Sequence, residues 1–414
     1  MTTVTADAMS QRSFADVWLI TLGHVFTHWY PGTFYLLLPL IGNELGLSYA
    51  QIGSIVTAQF AFGAISNIPG GLLVDSIGRK GLLMAISLFW IGIPYLLMGL
   101  SSAYWLLLAC AALVGVGNNL WHPTAIPLLG NRYPERRGLV MSIHSMGGNL
   151  GDAAAPLVAG ALLAFFSWRS VVVMNVVPGM VMALVIWILY ARPRPGDELA
   201  PKQRAATSAA DMLRMLRTLL RNRTVTTLSV SSAFRTMTQT ALLTFLPVYL
   251  ASQMGYSALW IGACMFLLQA AGFAAAPIAG HLSDRMGRRQ IIMSSMLMTA
   301  VVLLFMALAG GSTAFVFFIA LLGFFLFAIR AVLQAWLLDA TPREMGGTSI
   351  GILFGTQAVG AAIGPLAGGL IADRYGLIAT FYFLAFTVVV ANFFVFFTPI
   401  PQRQLAAEAH APAE

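Results

Sequence analysis

Gly71-Leu-Leu-Val-Asp75-Ser-Ile-Gly78-Arg79-Lys80 recurs as Gly280-His-Leu-Ser-Asp284-Arg-Met-Gly287-Arg288-Arg289, 209 positions further along the chain. The same offset carries Ile52-Gly53 onto Ile261-Gly262 and Pro156 onto Pro365, and an offset of 208 carries Pro39 onto Pro247 and Pro134 onto Pro342. One register therefore persists over most of each half, which marks an internal duplication. In each copy the glycines are expected to allow a tight turn between helices, and the aspartate to accept bonds from helix amides or an arginine. The basic pair is expected to anchor the loop at an anionic membrane surface.

Working outward from the repeat, 58% of the 414 residues are apolar and only 9% are charged, against about 25% charged in an average soluble domain. A spanning helix takes about 20 apolar residues, so the chain holds enough for about a dozen. Apolar runs lie near 14–41, 49–74, 82–100, 103–131, 138–166, 169–191, 223–251, 257–281, 290–309, 313–340, 348–371 and 378–399. They are too long and too continuous for barrel strands. The expected fold is an all-α membrane protein with twelve transmembrane helices in two pseudo-symmetric six-helix bundles. Its expected parts are a tail at 1–13, bundles at 14–191 and 223–399, a linker at 192–222 and a second tail at 400–414. Duplicated chains of this kind are typical of secondary transporters whose substrate site lies near the midplane between the repeats.

The formal charge of +8 comes from 23 basic and 15 acidic residues, and position decides its meaning. Nineteen of the basic residues fall in loops and tails on one side, Arg235 and Arg330 lie within spans, and Arg169 and Arg374 fall on the other side. That bias is a topology signal rather than a nucleic-acid surface, and it puts both termini in the cytoplasm, in a membrane of the bacterial inner type. Met1 to Ser13 lacks a basic start and reads as an uncleaved tail. Within the linker, Leu213, Leu216 and Leu220 share one helical face and Arg214, Arg217 and Arg221 another, as on a helix lying on an anionic leaflet or in solvent. Cys110 and Cys264, far apart and in apolar runs, read as packing residues.

Ionisable groups inside a bilayer are costly and are usually paired, cavity-facing or functional. The spans offer His24 and His28; Asn118, Asn119 and His122; His144, Asn149 and Asp152; Arg235 and Gln239; and Arg330 and Gln334. Arg235 and Arg330 both fall within a few turns of the midplane, and two permanent cations facing one cavity favour an anion held bidentately. The alternative for each is an ion pair with Asp152 or a helix C-terminus. His122, Asn118, Asn119, Gln239 and Gln334 are the other candidate substrate contacts. His24 and His28, four apart on one helical face, and Asp152 form the candidate proton route. Two histidines at that spacing suit a metal, but the sequence specifies no third ligand, so no metal site is expected. No nucleotide-binding loop, nucleophile elbow or His-Glu-x-x-His occurs, so neither enzymatic activity nor a cofactor is expected.

The paired loops at Gly71, Asp75, Gly78, Arg79 and at Gly280, Asp284, Gly287, Arg288 resemble the signature of the major facilitator superfamily. Gly23-His24, Trp121-His122-Pro123 and Gly147-Gly148-Asn149 are similar to its fosmidomycin-resistance branch. Gly351, Gly360, Gly364-Pro365 and Gly368-Gly369 resemble the Gly-rich pattern of its drug antiporters, which implies close helix contacts with Pro365 as a kink point. The resemblance implies rocking of two bundles, with the loop repeats latching the cytoplasmic side and spans one, four, seven and ten lining the cavity. It implies a monomer working with a small-molecule substrate, protons and membrane lipids. The expected activity is proton-coupled export of a small anionic organic compound. Proton symport importing an organic anion such as a small carboxylate is the alternative, and a lipid flippase, which would need an apolar lateral opening, is more remote.

Overall fold

The computed structural model describes residues 14–77, 79–190, 209–310, 312, 314–342 and 345–399. Among them are thirteen α-helices, one short 3-10 turn at Pro134–Arg136 and no strand. The first half contains α1 (Ala15–Leu45), α2 (Tyr49–Ile77), α3 (Lys80–Leu100), α4 (Tyr104–Arg132), α5 (Arg137–Leu162) and α6 (Trp168–Tyr190). After the linker helix α7 (Ala209–Arg221) come α8 (Arg223–Ser252), α9 (Ala258–Met286), α10 (Arg288–Ala309), α11 (Ala314–Asp339), α12 (Gly346–Tyr375) and α13 (Leu377–Phe396). Twelve long helices thus stand at the twelve apolar runs. Several run a turn beyond them, because polar ends such as Asn43-Glu44 continue the backbone bonding where the lipid-compatible stretch stops.

Eight of these helices are long and apolar enough to cross a membrane by themselves. α1, α5 and α8 are not among the eight, and they carry much of the polar set. Breaks between helices follow local chemistry. Gly46 closes α1 in the left-handed region at φ 62°, where a side chain is costly. The Asn222 side chain caps α8 by accepting from the amides of Thr224 and Val225, and Ser257 caps α9 through Trp260.

Within the first half α1 packs on α5, α2 on α4, and α3 on both α4 and α6; in the second, α8 packs on α12 and α13, α9 on α11, and α10 on α13. The halves meet where α2 lies on α12 and α5 on α9. These two seams are images of each other under the duplication. A Cβ on Gly53 would overlap the Pro365 carbonyl, and one on Gly262 would overlap that of Pro156. Likewise Gly369 lies on Tyr49 and Gly160 on Ala258. Asp373 adds a polar bond to the first seam, accepting from the amides of Tyr49 at 2.8 Å and Ala50 at 2.9 Å. Thr57 donates to the Ala362 carbonyl at 2.6 Å.

All these contacts fall toward the ends marked by Tyr49, Gly160, Ala258 and Asp373. Toward the opposite end a Cβ on Gly138, Gly280, Gly347, Gly351 or Gly355 would meet nothing within 4 Å. The glycine contacts and hydrogen bonds between the halves thus lie at one end, the closed end, and none lies toward the other, the open end, among the described residues. Of the glycines in α12, Gly360, Gly364, Gly368 and Gly369 make the expected close approaches, while Gly351 stands in open space.

Two readings of local sequence need adjustment. Only Gly287 of the described signature glycines lies in a turn, at φ 94° between α9 and α10. Gly71 and Gly280 lie inside helices, because the apolar run continues past them. Gly78 and the side chain of Asp75 lie outside the described residues. In the second copy Arg288 pairs with Asp284 at 2.8 Å and with Asp339 at 3.0 Å, which ties α9, α10 and α11 together. In α7 the buried leucine is Leu219, with Leu216 half-buried and Leu220 exposed. The packed face is set by the contacts of α7 with α8 and α12. The Leu213 side chain, the tails and residues 192–208 lie outside the described residues. Cys110 and Cys264 are free and buried.

Candidate functional site

The polar residues of α1, α4 and α5 converge. His24 Nδ1 lies 2.7 Å from the His144 carbonyl and its Nε2 lies 3.2 Å from His122 Nε2. His144 stacks on His24 at 4.1 Å between ring centroids, and the rings of His24 and His28 meet edge-on at 4.8 Å. His28 Nδ1 lies 3.0 Å from Asp152 Oδ2. The cluster forms because α1 and α5 approach closely at glycines: Gly147 lies on the Thr21 backbone and Gly151 on that of Val25. A Cβ on Gly148 would come within 2.9 Å of His24 Cε1 and 3.0 Å of His28 Nε2.

Asp152 therefore has a histidine partner rather than an arginine. His144, in the polar inventory of its span but without an assigned role, proves to be part of the cluster. The residue is 3% exposed, and neither ring nitrogen has a hydrogen-bond partner among the described residues. The neighbouring pair Gly147-Gly148 was the signal for the close approach that brings it there.

On α8, Arg235 is 2% exposed. Its guanidinium donates to Gln239 Oε1 at 2.9 Å and to Thr236 Oγ1 at 3.2 Å, and its Nε has no partner among the described residues. No carboxylate pairs with Arg235 or Arg330 among the described residues. A buried cation without a counter-ion is costly, and a hydrogen-bonded anion relieves that cost. Arg330, on α11, is exposed. Gln334 is half-buried beyond it. Asn118 is half-buried with its Oδ1 unpartnered among the described residues, and Asn119 packs against Gly63 of α2.

An apolar cavity of about 380 Å³ opens between α1, α5 and α9, with Trp18, Leu22, Leu150, Phe266 and Phe273 in its wall. It lies beside the α1–α5 contact that carries the histidines, and Thr21, Val25 and Gly147 also line it.

Twelve long helices in two duplicated halves, with ionisable groups buried between them, describe a fold seen elsewhere. The sequence pattern of the Major Facilitator Superfamily matches residues 17–276 and 260–413. The chain belongs to the Major Facilitator Superfamily. It is a multi-pass membrane transporter of small molecules, not an enzyme. Along its sequence it is similar to the hexuronate transporter of Bacillus subtilis (strain 168), 26% identical over 395 residues, 90% of this chain and 92% of that one. It is similar to the fosmidomycin resistance protein of Escherichia coli (strain K12), 25% identical over 391 residues, 94% and 93% of the two chains. Its fold matches that of a bacterial homologue of the human lysosomal transporter Spinster in an inward-facing, unoccupied conformation. The TM-score is 0.79 at 19% identity over 96% of this chain and 98% of that one.

Proposed function

We propose that this facilitator is a proton-coupled secondary transporter that moves a small anionic organic compound by alternating access, with export as the net direction. The observation that carries the anion is Arg235, a buried guanidinium of the second half without a carboxylate among the described residues. Arg330, on α11 of the same half, supplies the second permanent cation of this reading. An anion bridging the two halves at that level would gain two charge-assisted contacts. Asn118, Asn119, His122, Gln239 and Gln334 supply the neighbouring polar contacts. The printed names of hexuronate and fosmidomycin relatives are in keeping with small organic cargo. His24, His28 and Asp152 take the proton role, in a half distinct from the arginines.

The excess of basic residues on one side supports a cytoplasmic placement of the open end and of both termini in a bacterial inner membrane, and with it an inward-facing reading. The single chain works as a monomer among membrane lipids. The test is counterflow in proteoliposomes under an imposed pH gradient. An exporter moves substrate against the proton flow, whereas a symporter moves it along that flow. Asp152→Asn and His24→Ala are expected to lose the response to the gradient while keeping exchange. Transport indifferent to the gradient in wild type sinks the reading. The apolar cavity between α1, α5 and α9 favours a second reading, an amphiphile entering from the bilayer, which would survive loss of both arginines.

A further inference from the structure

Three histidines on two helices each bring a ring nitrogen into one small cluster. The nitrogens of His24, His28 and His122 lie within 4.8 Å of one another. A zinc ion about 2.0–2.1 Å from each nitrogen sets tetrahedral ligands about 3.3 Å apart, and the His24 and His122 Nε2 atoms already stand 3.2 Å apart. The third ligand that the sequence did not specify is His122 of α4, brought over by helix packing.

The surroundings supply the other half of such a site. A ligating histidine commonly donates its second ring N–H to a carboxylate or a backbone carbonyl, which fixes the tautomer and the ring orientation. His24 Nδ1 has the His144 carbonyl at 2.7 Å, an acceptor only, so that nitrogen carries the hydrogen and Nε2 keeps its lone pair. His28 Nδ1 has Asp152 at 3.0 Å, and the same logic frees its Nε2. With His24 Nε2 an acceptor, His122 Nε2–H donates across the 3.2 Å between them, and a cation binding there takes the place of that proton. His28 and Asp152 keep 27% and 32% of their side-chain surface accessible, which leaves a way in.

We propose that His24, His28 and His122 bind a divalent transition metal of the zinc class through their Nε2 atoms, with Asp152 and the His144 carbonyl as orienting partners. Three imidazoles select zinc, cobalt, nickel or copper over the oxygen-seeking calcium and magnesium. Three protein ligands leave a fourth position open to water or an anion. This inference goes beyond the transport reading, and its readout needs no transport, so either can fail alone.

The experiment uses the full chain in nanodiscs, freed of any affinity tag and stripped with a chelator, titrated calorimetrically with Zn²⁺. One saturable equivalent is expected, with X-ray absorption showing imidazole nitrogens at about 2.0–2.1 Å. His28→Ala and His122→Ala should each weaken binding more than about tenfold, and Asp152→Ala by about 10–100-fold, as for outer-shell partners. His281→Ala, outside the cluster, should leave it unchanged. Thermal melts of each variant check folding, and the absorption spectrum of the wild-type complex needs no variant at all. No saturable binding by wild type, an oxygen-only shell, or unchanged affinity in the variant lacking all three histidines would overturn the proposal.

Discussion

Gly262 of α9 lies so close to the carbonyl of Pro156 on α5 that no side chain fits between them, and its duplicate Gly53 stands in the same relation to Pro365. Two of the pairs that repeat at an offset of 209, the glycines and the prolines, thus meet across the halves. The duplication is preserved at the seam because each seam takes one helix from each copy, and the same glycine and proline must serve both.

Gly53→Val and Gly262→Val are expected to wedge the closed end apart. Overpacking costs about 1–3 kcal/mol, which shifts a two-state ratio by about 5–150-fold. Pulsed-EPR distances between spin labels at the two ends should show a longer separation at the Tyr49 end and a shorter one at the open end. Gly351→Ala, in open space, should leave the distribution as in wild type.

Asp373 caps the N-terminus of α2 from the other half, where two free amides and the helix dipole both favour a carboxylate. Among the described residues the second seam has no such bond, since Ala164 stands at the duplicate position. Asp373→Ala should cost about 1 kcal/mol of the closed end, about a fivefold change in the ratio of conformers. Labelling of a single cysteine placed near Tyr49 reads that change as faster modification.

Arg235→Ala and Arg330→Ala should abolish anion counterflow while the protein remains folded and membrane-inserted. Arg235→Lys should restore little, because a lysine cannot offer the planar fork that an anion takes bidentately. Wild-type counterflow in both alanine variants would leave the amphiphile reading in its place.

Gly287 at φ 94° connects α9 to α10 in a conformation that side chains rarely adopt. Gly287→Ala should cost about 1–3 kcal/mol, measured as a lower melting temperature in detergent. Gly280→Ala, inside α9 with open space around it, should melt no lower than wild type, since alanine is favoured over glycine in a helix interior by about 0.5–1 kcal/mol.

Much of the fold was legible in the chain. Apolar runs end where helices end, to within about a turn, because the bilayer imposes one length on every span. The positions of His24, His28, His122, Asp152, Arg235 and Arg330 within spans could be read too. Their partners could not. Asp152 was a candidate partner for an arginine and instead takes His28, and His144 joins the histidines through a backbone approach that only Gly147-Gly148 foreshadowed. The linker helix buries Leu219 because contact with α8 and α12, rather than its own periodicity, selects the packed face.

Local hydropathy and the internal repeat by themselves determined twelve helices, two halves and a bilayer home, since each rests on residues adjacent in sequence or tied by duplication. Which end is shut, which histidine faces which, and which arginine lies sealed depended on how far each helix turns and where it crosses its neighbours. Those rotations are fixed by steric fit between distant segments, at Gly53, Gly148 and Gly262 above all, and no window along one strand of sequence contains both sides of such a contact.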